Sequence, residues 1–115
     1  MAITNKELIP SQVAETSSTK EYEAVNCKTI IDKFTATNIT STTALLTVFL
    51  VPNGGSASDA TRIIQNYAIA GGEAYTCPEI VGHSLDNGAS IYVLCDTGSA
   101  LVIRSSGREI TGNTI

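Results

Sequence analysis

Tryptophan is missing from this 115-residue sequence, and the other aromatic residues are only four tyrosines and two phenylalanines. Sugar-cleaving and sugar-binding clefts are usually lined with such rings, so their scarcity counts against both classes. Histidine occurs once, as His83. Glu79, Ser84 and Asp86 lie near it in sequence, but in no spacing that general-base or nucleophilic catalysis uses. The three cysteines, Cys27, Cys77 and Cys95, show neither Cys-x-x-Cys nor Cys/His spacing, which a zinc site would require. The glycine-bearing stretch from Asn53 to Asp59 lacks the Lys-Ser/Thr of a phosphate loop and the three spaced glycines of a dinucleotide fingerprint. No catalytic, cofactor-binding or metal-ligating residue is therefore expected, and the chain does not read as an enzyme.

Cations are scarce too. Seven Lys and Arg stand against eleven Asp and Glu, for a net charge of -4, and they are scattered from Lys6 to Arg108. A nucleic-acid binder should carry a basic stripe, so that partner is not expected. No apolar run approaches the roughly 18 residues of a membrane-spanning helix. The longest, Ala44 to Val51, is strand length. The opening residues, Met1 to Gln12, carry no charged region followed by an apolar one. Synthesis in a cytoplasm without signal-directed export is the expectation. In that reducing setting the odd cysteine count predicts buried free thiols, which behave as small hydrophobes; one intramolecular disulfide with a leftover thiol is the alternative that the compartment disfavours.

The remaining sequence is β in character. From Tyr22 onward, runs rich in Val, Ile, Thr, Tyr and Phe alternate with Asn53-Gly54-Gly55, Gly71-Gly72, Asn87-Gly88, Thr97-Gly98 and Ser106-Gly107. Such pairs supply the positive-φ positions of tight reversals. Short strands so punctuated predict an all-β domain, an antiparallel β-sandwich or jelly-roll-like fold, over residues 22–115. Residues 1–21 are polar, with Ser and Thr clustered at Thr16 to Thr19, and read as an extended N-terminal arm; Pro10 argues against helix there. Ser58 to Gly72 is ambiguous. Its β-branched content favours a strand, which puts Ile63, Tyr67 and Ile69 on one face, with a helical turn near Asp59. Asn38-Ile39-Thr40 matches a glycosylation acceptor but reads as a strand end.

Leu45 to Val51 is apolar on both faces. Leu46, Val48 and Leu50 point one way, Leu45, Phe49 and Val51 the other, and only Thr47 interrupts. Loops or arms of the same chain could cover the second face. The alternative is that a neighbouring subunit covers it, which makes Leu45, Thr47, Phe49 and Val51 candidate interface residues of a homo-oligomer.

The block from Thr42 to Thr111 also carries a recognisable pattern. An apolar strand ends in Val51-Pro52, and an Ala-Gly-Gly-Glu turn at Ala70–Glu73 precedes an aromatic strand. Gly82-His83-x-Leu85-x-x-Gly88 follows, and the block closes on Ser106-Gly107-x-Glu109-Ile110. This resembles the small all-β structural proteins of tailed bacteriophages. The resemblance implies a virion component, best matched in size by capsid decoration (cement) proteins. Such a protein would be trimeric, bind the major capsid protein and sit on the outer capsid surface, reinforcing capsomer contacts. Leu8, Ile9, Pro10 and Val13 are then the candidate partner-binding residues of the arm, which could add a strand to a coat-protein sheet. A neck, tail or head-fibre component is the alternative within that life. A carbohydrate-binding or host-adhesion module, using the loops at Asn53–Asp59 and His83–Gly88, is the alternative from another class.

Overall fold

Strands account for most of the computed structural model, which describes residues 2–112. In chain order they are β1 (Ala2–Val13), β2 (Thr19–Glu23), β3 (Lys28–Asn38), β4 (Ala44–Val51), β5 (Arg62–Ile69), β6 (Ala74–Tyr75), β7 (Ser84–Leu85), β8 (Ser90–Cys95) and β9 (Leu101–Thr111). A 3-10 turn at Asp59–Thr61 leads into β5, so the ambiguous segment is a strand preceded by a helical turn.

Two antiparallel sheets pack face to face as a sandwich. The long sheet has the order β1-β9-β3, and the short strands β6 and β7 both pair with β3, one toward each end. The short sheet has the order β2-β8-β4-β5. The inward alternation expected of half-buried strands fills the space between them. Ile31, Phe34 and Ala36 of β3 and Leu101 and Ile103 of β9 meet Leu46 and Val48 of β4 and Ile91 and Val93 of β8. Cys27, Cys77 and Cys95 lie buried as free thiols.

The boundary expected at residue 21 is not a boundary of the fold. β1 pairs with β9 from Ala2↔Thr111 to Val13↔Val102, and β2 belongs to the other sheet. An edge strand is solvated along one side and needs few apolar residues, so the polar sequence still makes a strand once β9 supplies its backbone partners. Its contribution to the core is Leu8 and Ile9. They are consecutive, yet both are buried, because the register slips between Glu7 and Ile9 and the extra residue swings inward. Gly107 makes room for Leu8 and for the β3 backbone. A Cβ there would lie 2.1 Å from the Ile30 carbonyl oxygen and 2.9 Å from Leu8 Cδ1.

The face reading of β5 also changes. Its register against β4 slips twice, and Asn66 takes a left-handed φ of 47°. The bulge resets alternation, so Ile64 and Ile69 enter the core, while Ile63 and Tyr67 stay exposed. Asn38 ends β3, buried, and donates from Nδ2 to the Thr42 and Ile69 carbonyls at 2.7 and 2.8 Å. The glycosylation match is thus a strand end.

Candidate interaction surfaces

The outer face of the short sheet holds the residues expected at a subunit interface. Leu45 is half-buried, but Phe49 and Val51 are only 4% and 3% exposed within the single chain, and Thr47 is buried too. Arg62 of β5 lies across from Phe49 in the register and places its guanidinium carbon 5.2 Å from the ring centroid. Asp59 in the preceding turn holds that guanidinium at 2.9 Å. Tyr92 of β8 flanks Phe49 from the other side. Thr47 serves the fold itself, because its hydroxyl accepts from the Asn66 backbone N–H at 3.1 Å and so fixes the left-handed residue of the bulge. The apolar area that Phe49 and Val51 would offer a neighbour is thus already covered. Over Phe49 the cover is a long cationic side chain from the adjacent strand, which neither alternation nor composition along β4 could announce.

The four arm residues divide. Leu8 and Ile9 spend their side chains in the chain's own core, whereas Pro10 and Val13 are exposed. What β1 presents outward is its backbone edge, since among the described residues β9 is its one strand neighbour. Ile3, 57% exposed, stands near the beginning of that edge and Val13, 42% exposed, at its end. Sequence reading missed Ile3, although it is the first large apolar residue of β1.

The outer face of the long sheet is polar in its middle. Arg108 donates to Asp32 through two contacts of 2.9 Å, and Arg104 reaches Glu7 at 2.7 Å. The Arg108–Asp32 pair has the parallel geometry in which guanidinium and carboxylate match best.

The two loops singled out for adhesion do converge. The Asn53 side chain lies against Gly88, close enough that a Cβ on Gly88 would sit 2.5 Å from Asn53 Cγ. Between the loops is a cleft of about 400 Å³, floored by Leu50, Val51, Ile63 and Leu85 and rimmed by His83, Ser84 and Asp86. Its lining carries no Phe, Tyr or Trp.

Two side-chain clusters tie the sheets together at the sandwich's open sides. Tyr22 of β2 shares a hydrogen bond with Thr29 of β3 at 2.6 Å and donates to Glu109 of β9. Burial, and then the Glu109 contact, pushes its hydroxyl well above the usual tyrosine range. Opposite, Tyr67 of β5 stacks on Tyr75 of β6 at 3.8 Å between centroids, and the Tyr75 hydroxyl donates to Glu79 at 2.6 Å. Beneath them burial, reinforced by Glu79, pushes the Cys77 thiol up to about 12, which leaves it protonated and inert at neutral pH. Among the described residues no three of His, Cys, Asp and Glu gather as a metal site requires. No family model, curated protein or solved structure matches the chain.

Proposed function

We propose that this chain is a non-enzymatic structural protein of a bacteriophage particle, a decoration module that seats on the outer shell and adds contacts between coat subunits. The observation that carries the reading is β1: a long strand at a sheet edge, with one row of backbone donors and acceptors facing away from the fold. Strand addition to such an edge gives affinity from the main chain and register from the side chains. The pattern between Thr42 and Thr111, which resembles tailed-phage structural proteins, points the same way. Repetition over a shell would make modest single contacts effective, since linked binding events share a high effective concentration. Several copies seated around one capsomer junction would fit this use.

The test is co-sedimentation with shells assembled from the major coat protein of the same genome. Saturable binding to the shells is the expected result. A protein that stays in the supernatant at micromolar concentration would remove the reading, and binding confined to one vertex would replace it with a neck, tail or fibre role.

Tyr67 favours a second reading, a glycan-binding adhesion module. It is 41% exposed and backed by Tyr75, so its free side could serve as a stacking platform. Specific glycan binding that is lost in Tyr67→Ala would establish it.

A further inference from the structure

Two Asn-Gly pairs occur in the sequence, Asn53-Gly54 and Asn87-Gly88. Each fills the middle of a β-turn of the same kind. The Gly55 N–H donates to the Pro52 carbonyl at 2.9 Å around the first, and the Ala89 N–H to the Asp86 carbonyl at 2.9 Å around the second. The two glycines sit at φ 80° and 88°, the positive value that the third position of such a turn demands. Both asparagines are exposed. Local sequence and local backbone are therefore matched.

Their surroundings are not. The second turn is tied to the loop between β2 and β3 by three hydrogen bonds. The Gly88 N–H donates to the Ala24 carbonyl at 2.7 Å, the Ala24 N–H to the Ala89 carbonyl at 2.9 Å, and the Asn26 N–H to the Asn87 side-chain carbonyl at 2.7 Å. At the first turn, among the described residues, neither the Gly54 N–H nor the Asn53 amide has a hydrogen-bond partner in the chain. The Asn53 side chain rests against Gly88 by packing alone, on the lining of the cleft between the loops.

The contrast bears on a reaction open to Asn-Gly pairs. Glycine has no Cβ to shield its backbone nitrogen. That nitrogen, giving its proton to water, attacks the asparagine Cγ. The N–Cγ bond forms, the Cγ–Nδ2 bond breaks, and the amide nitrogen leaves as ammonia with a proton from water. Water then opens the cyclic succinimide at either carbonyl, yielding aspartate or isoaspartate. The sum is a side-chain amide plus water giving a carboxylate and ammonium. In the second turn the attacking nitrogen is held to Ala24 and the Cγ group to Asn26, so bonds of the folded state must break first.

We propose that Asn53 is a self-modification site, and that Asn87 is the same motif held shut by the fold. Conversion puts a negative charge on a cleft lining that already carries Asp86. Isoaspartate also routes the main chain through one extra carbon and leaves its carboxylate directly on Cα. The Asn53–Gly88 contact is then released, and the two loops that frame the cleft separate.

The test incubates the full chain in mildly alkaline buffer, and samples taken over weeks are digested in acid and mapped by mass spectrometry. The Asn53 peptide should gain about 1 Da, the exchange of NH2 for OH. The Asn87 peptide should convert roughly tenfold more slowly or less, a difference of about 1.4 kcal/mol in barrier. In urea sufficient to unfold the chain, both peptides should convert at similar rates. In the amide NMR spectrum of the refolded, converted protein, Gly88 and Ser84 should shift. Folded protein whose Asn53 stays intact while the urea sample converts overturns the proposal. So does an Asn87 peptide that keeps pace with Asn53 in the folded protein, or a fast mass gain that survives in N53Q. A difference of the same size in urea assigns the contrast to flanking residues and overturns the role of the fold. Gly88 and Ser84 resonances unmoved by full conversion overturn the separation of the loops.

Discussion

The two sheets of this sandwich each turn an outer face to the surroundings, and they treat apolar residues in opposite ways. On the short sheet the apolar row of β4 is sealed by the chain itself, with Phe49 beneath the Arg62 guanidinium and Val51 buried. On the long sheet the middle is occupied by arginine–carboxylate pairs, while Ile3, Val13 and Ile39 stand exposed at the ends. A strand that is apolar on both sides is therefore not by itself a sign of a partner. What matters is whether a neighbouring strand can lay a long side chain over it. Arg62 can, because the register slip between Val48 and Phe49 sets it opposite the ring.

The comparison breaks most visibly at Phe49. Phe49→Ala should lower stability by about 3–5 kcal/mol in a urea titration, the range for a buried aromatic. It should do so without changing the mass in solution. A variant of normal stability that falls apart into smaller species would return the short sheet's outer face to the role of subunit interface. Next in size is Ile9→Ala on β1, expected to cost about 2–5 kcal/mol by the same measurement, because that side chain is wholly buried. A loss under about 0.5 kcal/mol, the scale of an ordinary surface substitution, would restore the picture of a separable arm.

Those two positions also show where sequence reading ended. The strands from β3 onward and the turns between them follow from β-branched runs and Asn-Gly, Gly-Gly and Thr-Gly pairs, whose conformational demands are local. The strand state of residues 2–13 is not local. It comes from pairing with β9, almost a hundred residues away, and no side-chain period marks it, because a bulge lets Leu8 and Ile9 face inward together. The exposure of Tyr67 was legible as a surface position only once Asn66 was known to break the alternation. The candidate interface residues of β4 were correctly read as one face. Their cover was invisible, because it depends on a cross-strand neighbour set by that same bulged register.

Smaller effects sharpen the contrast. Arg62→Ala should cost about 1 kcal/mol, through loss of the cation–π contact and the packing of its stem. Differential scanning calorimetry checks it, and the variant should also bind more of a hydrophobic dye as Phe49 opens. An unchanged dye signal would mean that Tyr92 and the loop after β4 suffice as cover. Smallest of all, Val13→Ser and Ile39→Ser should stay within about 0.5 kcal/mol of the parent, since exposed apolar side chains contribute little to folding. If either costs several times that, these residues belong to the fold and are not held in reserve for a partner.

Hydrogen–deuterium exchange of the protein, free and on coat shells, tests the asymmetry of the two faces most directly. Docking through the long sheet should slow exchange along Ala2–Glu7 of β1 and at the Ile39 turn, and leave β5 at its free rate. Protection confined to β5 and the loop before it, with β1 unchanged, would contradict the account.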